Sequence, residues 1–201
     1  MSGPAAILAT IQIRRLCARP FRPHESIRRI RHAERGREQL RENPQLEVWD
    51  DHEFYVSALA DNAATDSLKK PTALLDTNFP YEPAGKRKLQ VDIFVFDKQL
   101  KSLRAYEVKR GNGEHDAGKK RQILRDTLCV QVLLKEYGRA HGYDASSVSS
   151  HVIGYYGHLS VPRPFGIKGE ELDKHFSFSV YKEVELVNSH FKNRLHSILN
   201  A

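Results

Sequence analysis

The chain has 201 residues, 40% of them hydrophobic and 28% charged, enough to bury one moderate core and hardly enough for two full domains. No run of about 18 apolar residues occurs, so the sequence excludes a transmembrane helix, and two cysteines, Cys17 and Cys129, make neither a disulfide scaffold nor a cysteine zinc site. Lys and Arg number 32 against 25 acids, a net charge of +7 that favours polyanionic partners, DNA among them, while the cysteine usage suits a reducing, cytoplasmic setting.

Residues 1–49 read as a basic N-terminal arm and helix. Arg14, Arg15, Arg19 and Arg22 all precede the first acidic residue, Glu25, and Pro20 and Pro23 interrupt any helix there. Ile27, Ile30 and Leu40 fall at helical spacing, which predicts an Arg-rich helix from His24 to about Arg41, either a solvated face or a phosphate contact. A second helix is expected from Asp50 or Asp51 to about Leu68, with an aspartate as N-cap and Phe54, Val56, Leu59 and Ala63 facing a core. Residues 70–90 are loop-like, with a weak strand signal over Thr72–Leu75.

The pattern then changes. Val91–Phe96 reads as a buried strand, residues 97–102 as a turn and Leu103–Lys109 as the returning strand of a hairpin. Gly111-Asn112-Gly113 ends it, and a helix follows from Asp116 or Gly118 to Tyr137, basic at its start and apolar nearly all round later. Val148–Tyr156 reads as a further buried strand, parallel to the strand before the helix because the three form a right-handed crossover. A Pro-rich loop, a short helix near Glu170–His175 and a terminal helix over Tyr181–Leu199 complete the chain. The core is thus placed at 50–160, with 161–201 a helical extension of the same domain. Trp49 is expected to anchor packing, and one of Tyr155 and Tyr156 to face inward.

The hairpin carries the chemistry. With the turn at 97–102, Val95 lies opposite Arg104 and Asp92 opposite Glu107, and period-two alternation sends Glu107 and Lys109 to one side. Two carboxylates and a lysine converging on an apolar sheet are costly through desolvation and like-charge repulsion. A hard divalent cation relieves both, and Mg²⁺ with oxygen ligands suits the hydrolysis of a phosphodiester, with Lys109 beside the nucleophile. The alternative is a surface ion pair, since Glu and Lys two apart are common on exposed strands. His115, between Glu114 and Asp116, could shuttle protons or stand by, and the remaining histidines show no metal-ligand spacing.

The segment Val91–Leu134 resembles the PD-(D/E)XK nuclease superfamily, the restriction-endonuclease-like fold. That resemblance implies an α/β protein with an αβββαβ core, a mixed central sheet flanked by helices, and a DNA phosphodiesterase or endonuclease activity. It implies Asp92 and Glu107 as ligands of Mg²⁺ (with Mn²⁺ a substitute), the Val108 carbonyl completing the shell, and Lys109 as the catalytic lysine. Val91 stands where the family name has proline; no Gln is followed by Tyr four residues on in the crossover helix; and two cysteines exclude the iron–sulfur branch. Glu53 is the candidate for an accessory glutamate, and Gln122 could reach the site. Residues 104–125 carry seven basic and three acidic side chains, so Lys119, Lys120, Arg121 and Arg125 are expected to hold the DNA backbone. Dimers are frequent in this kind of fold, so a homodimer is compatible with the reading. The competing reading is a non-catalytic nucleic-acid-binding module of the same fold.

Overall fold

Alternation of apolar residues builds a sheet whose two sides are covered by different helices. The computed structural model describes residues 32–111 and 115–200, within one compact unit from Arg31 to Ala201. Helix α1 (His32–Arg41) leads into strand β1 (Leu46–Val56), helix α2 (Ala58–Asp66) and a 3-10 turn at Pro71–Leu74. Strands β2 (Arg87–Asp97) and β3 (Ser102–Lys109) form the hairpin, and helix α3 (Ala117–Ala140) crosses to β4 (Ser147–Gly154). A short edge strand β5 (Gly166–Lys168), helix α4 (Leu172–Phe176) and helix α5 (Tyr181–Leu199) close the chain.

The five strands lie in the order β1-β2-β3-β4-β5. β1, β2 and β3 are antiparallel, whereas β3–β4 and β4–β5 are parallel, so the sheet is mixed. Apart from the inserted α2 and the added β5, the order α1-β1-β2-β3-α3-β4 runs αβββαβ, but its first helix is α1, which the sequence reading set in the N-terminal part, and not the helix expected at 50–68. The hairpin register agrees too, with Val95 opposite Arg104. Among the described residues no helix is long and apolar enough to cross a membrane.

Two expectations fail. The helix expected from Asp50 or Asp51 is the second half of β1, and the helix begins only at Ala58, where Ser57 Oγ accepts the Ala60 amide as N-cap. Phe54 and Val56 alternate inward and are fully buried. The alternation is broken by irregular register. Between Trp49 and Asp51, β1 advances two residues while β2 advances three, from Phe94 to Val91; between Asp51 and Phe54 the imbalance reverses. Such bulges remove the period-two signal and leave apolar residues three to five apart, which imitates a helix. The strand suspected at Thr72–Leu75 is the 3-10 turn that Pro71 opens. The arm, Cys17 and the helical residues expected before His32 lie outside the described residues.

Two apolar layers hold the sheet. On one face Phe54, Phe94, Leu103 and Ala105 pack against Leu128, Val132 and Leu133 of α3. Trp49 belongs here as a packing anchor: it stacks on Phe94 and Tyr143 with ring centroids 5.4 and 4.6 Å away, and its indole N–H reaches Tyr137 Oη at 3.2 Å. On the other face Ile93, Val95, Tyr106 and Ile153 meet Leu40, Leu172, Val180 and Val184. Tyr155 is buried and Tyr156 is half exposed.

Candidate active site

Asp92 sits where the hairpin comes apart. Paired residues run from Asp97–Ser102 to Ile93–Tyr106, and the next step would set Asp92 against Glu107. The extra residue of β2 falls between Val91 and Phe94, so Asp92 lies within the bulge facing β1. Its Oδ2 accepts the Val108 backbone N–H at 2.8 Å, standing in for the carbonyl the diverging strand would have supplied. A bulge of this kind re-aims a side chain, and here it turns a carboxylate toward the end of β3.

Glu107 follows Leu103 and Ala105 on the face covered by α3. Its carboxyl is pushed above the usual range, first because burial penalises the charged form and then because Asp92 is a like charge nearby; Asp126 of α3 adds to the effect. Lys109, two residues on, forms an ion pair with Glu107 and opposes both causes. The trio Asp92, Glu107 and Lys109 is therefore assembled on one side of the sheet, beside the end of β4, where Val152 and Gly154 pair with Glu107 and Lys109.

The surrounding charges come from three elements. Arg87, the first residue of β2, lies 2.9 Å from Asp61 of α2 and 2.8 Å from Asp126 of α3. Burial works against its charge, but the two carboxylates outweigh burial and raise its pKa. Asp61 is buried and still held below the usual carboxylate range, because Arg87 outweighs the desolvation. Cys129 lies 3.6 Å from Arg87, and burial pushes its thiol up to about 12, so it is a packed thiol rather than a nucleophile. Nothing local in the sequence marks this network, whose members Asp61, Arg87 and Asp126 lie far apart along the chain. The available signal was Asp126 itself, an acid embedded in the apolar run around Ile123, Leu124 and Leu128.

The expected phosphate-binding residues divide. Lys119 and Arg121 are exposed on the first turns of α3, and Lys120 is half-buried. Asp116 caps this helix by accepting the Lys119 amide at 2.9 Å. Arg125 turns into the seam between α2 and α3, 3.7 Å from Asp61. Gln122 is exposed. Glu53 lies on β1 rather than on a helix, exposed and 2.6 Å from Lys88. His115 bonds Ser160 at 2.8 Å, tying the start of α3 to the loop before β5.

Among the described residues no group of three His, Cys, Asp or Glu side chains is arranged to hold a metal. The donor set on offer is smaller: the carboxylates of Asp92 and Glu107, with the Val108 carbonyl between Glu107 and Lys109. One or two carboxylates with retained waters is the usual protein contribution to Mg²⁺ binding. The observation that bears on a cation is that Glu107, buried, feels Asp92 and more weakly Asp126 as like charges, opposed by Lys109. No protein-family model, no curated protein and no solved structure matches the chain.

Proposed function

We propose that this protein is a divalent-metal-dependent DNA phosphodiesterase of the PD-(D/E)XK kind. The observation that carries the reading is the convergence of Asp92, Glu107 and Lys109 where β2 leaves β3, with Asp92 fixed on the Val108 amide. The αβββαβ order and the mixed sheet support it, since the resemblance in the hairpin implies both. Fold alone would not, because one fold serves many functions.

Asp92 and Glu107 would hold the cation with the Val108 carbonyl. When bound, Mg²⁺ supplies a Lewis acid and lowers the pKa of water. Lys109 pairs with Glu107 in the structure, so its ammonium group stands beside the carboxylates that would hold the cation. There Lys109 would orient the attacking water and stabilise charge on the phosphate as it develops. Lys119 and Arg121 hold the backbone of the strand being cut. The basic composition brings DNA to this face by long-range attraction, which salt weakens.

One observation favours the non-catalytic binding module: no three-residue metal group exists among the described residues. Both readings are separated by cleavage of labelled single-stranded, duplex and branched DNA with Mg²⁺ or Mn²⁺. Cutting by the wild type that disappears in Asp92→Ala, in Lys109→Ala and in EDTA is the expected result. Salt-sensitive binding by all three proteins with no cutting would leave the binding module.

A further inference from the structure

A groove of about 590 Å³ runs beside the end of α2, between Lys69, Lys70, Pro71 and Thr72 on one wall and Pro162 and Arg163 on the other. It takes no part in the site described above. None of its eight lining residues is acidic and three are cationic. Lys69 and Lys70 are exposed and form no ion pair with any described residue, unlike Lys86, Lys88 and Lys98, each of which faces a carboxylate. Arg163 shares its guanidinium with Glu171 and remains largely exposed. No aromatic ring lines the groove, so it offers no platform for stacking a base.

The wall formed by Pro162 and Arg163 is anchored at both ends, to the start of α3 and to β4. Ser160 bonds His115, immediately before the Asp116 cap of α3 and its Lys119 and Arg121. Phe165 accepts the Val152 amide at 2.7 Å, and Val152 pairs with Glu107 in the sheet. The other wall belongs to the segment after α2, which packs on α3 through the Phe79 amide to the Val132 carbonyl at 2.7 Å and through Gln131 Nε2 to the Leu75 carbonyl at 3.1 Å. The walls of the groove are therefore tied to α3 and to β4, the helix that covers the trio's side of the sheet and the strand that pairs with β3.

We propose that this groove is a second, sequence-independent site for the DNA sugar–phosphate backbone, gripping the segment that flanks the cut. Two lysines with no ion pair to a described residue and an arginine shared with Glu171, in a groove whose lining holds no acid and no aromatic ring, suit phosphates and give no means of reading bases. The proposal rests on the nuclease reading for what is cut, but its test does not.

Binding is measured in EDTA, where nothing is cut, as a function of salt. The proteins are the wild type, Lys69→Glu/Lys70→Glu, the milder Lys69→Gln/Lys70→Gln, and Lys182→Glu/Lys192→Glu on α5 as a control of equal charge change. With a duplex of about 30 base pairs, the groove variant should bind about tenfold more weakly near physiological salt, with the log–log salt slope shallower by about two. The glutamine variant should show the same loss of slope, and the control should change affinity less than about twofold. Equal losses in groove and control variants, an unchanged slope, or no DNA binding by the wild type would overturn the proposal. Failure of the nuclease reading looks different: no metal-dependent cutting, with the groove-dependent slope intact.

Discussion

The two faces of the sheet carry different kinds of polar group, although the residues involved are chain neighbours. Tyr106 and Glu107 are adjacent on β3 and point to opposite sides. On the α5 side, Tyr106 Oη bonds His175 Nε2 at 2.8 Å, and His151 stacks near Tyr106 while bonding Ser149 at 2.9 Å and the Pro164 carbonyl at 3.2 Å. Burial, helped by the nearby Arg104 cation that pairs with Asp97 at 3.4 Å, pushes both histidines down to about 4, so they are neutral partners near neutral pH. On the α3 side the polar groups are ions: Asp92, Glu107, Lys109, and the Asp61–Arg87–Asp126 network. The α3 face concentrates carboxylates, and burying like charges near one another is costly unless something offsets them, which is what the proposed cation site would do.

The largest break in the comparison comes from removing the charges at the end of β3. Asp92→Ala and Lys109→Ala should each lower cleavage by about a hundredfold to a thousandfold, because each removes a group that acts on the developing charge. Thermal melting should stay close to wild type for Lys109→Ala, whose lysine is partly exposed. A loss of cutting that tracked a loss of fold would remove the distinction between the two faces.

Next in size is the network. Arg87→Met leaves Asp61 and Asp126 without their shared cation, and should cost about 2–3 kcal/mol, less than a fully buried pair because Asp126 and Arg87 keep some water contact. Urea unfolding reads this directly. The double variant Arg87→Met/Asp61→Asn should recover part of the loss, since no buried aspartate is then left uncompensated in α2.

The two buried histidines predict a pH effect of definite sign. His151 and His175 titrate near 4 when folded and near 6.5 when unfolded, so between those values the unfolded chain binds more protons. Stability from their neutral burial is full above about 6.5 and is lost as pH falls toward about 4. His175→Phe, which keeps the ring contacts with Tyr106 and Phe176, should flatten this dependence in unfolding curves between those pH values.

The smallest effect is expected on the rim. Arg121→Gln should reduce the salt slope of DNA binding by about one and affinity by a few fold, with sequence preference unchanged. Arg125→Gln should alter stability more than the salt slope, because its guanidinium sits against Asp61.

What could be read from sequence was what is local. The hairpin announced itself through an apolar strand, a polar turn and a returning strand, and that register was enough to set Asp92 against Glu107. Helices α3 and α5 were legible for the same reason, with α5 spanning Tyr181–Leu199 as the periodicity gave it. Strand β1 was hidden because bulges at Trp49–Asp51 and Asp51–Phe54 shift its inward residues out of step. The β2 irregularity that hides the strand pattern also aims Asp92. The Asp61–Arg87–Asp126 network was illegible because its members meet only after α2, β2 and α3 have packed.

The central claim, that Asp92 and Glu107 form a cation site, is tested most directly by titrating Mn²⁺ into the protein and following water-proton relaxation, without DNA or turnover. The account predicts a bound Mn²⁺ that Mg²⁺ displaces, weakened at least about tenfold in Asp92→Asn and in Glu107→Gln and unchanged in Glu53→Gln. Equal Mn²⁺ binding by the wild type and both site variants, or none by the wild type, would contradict it.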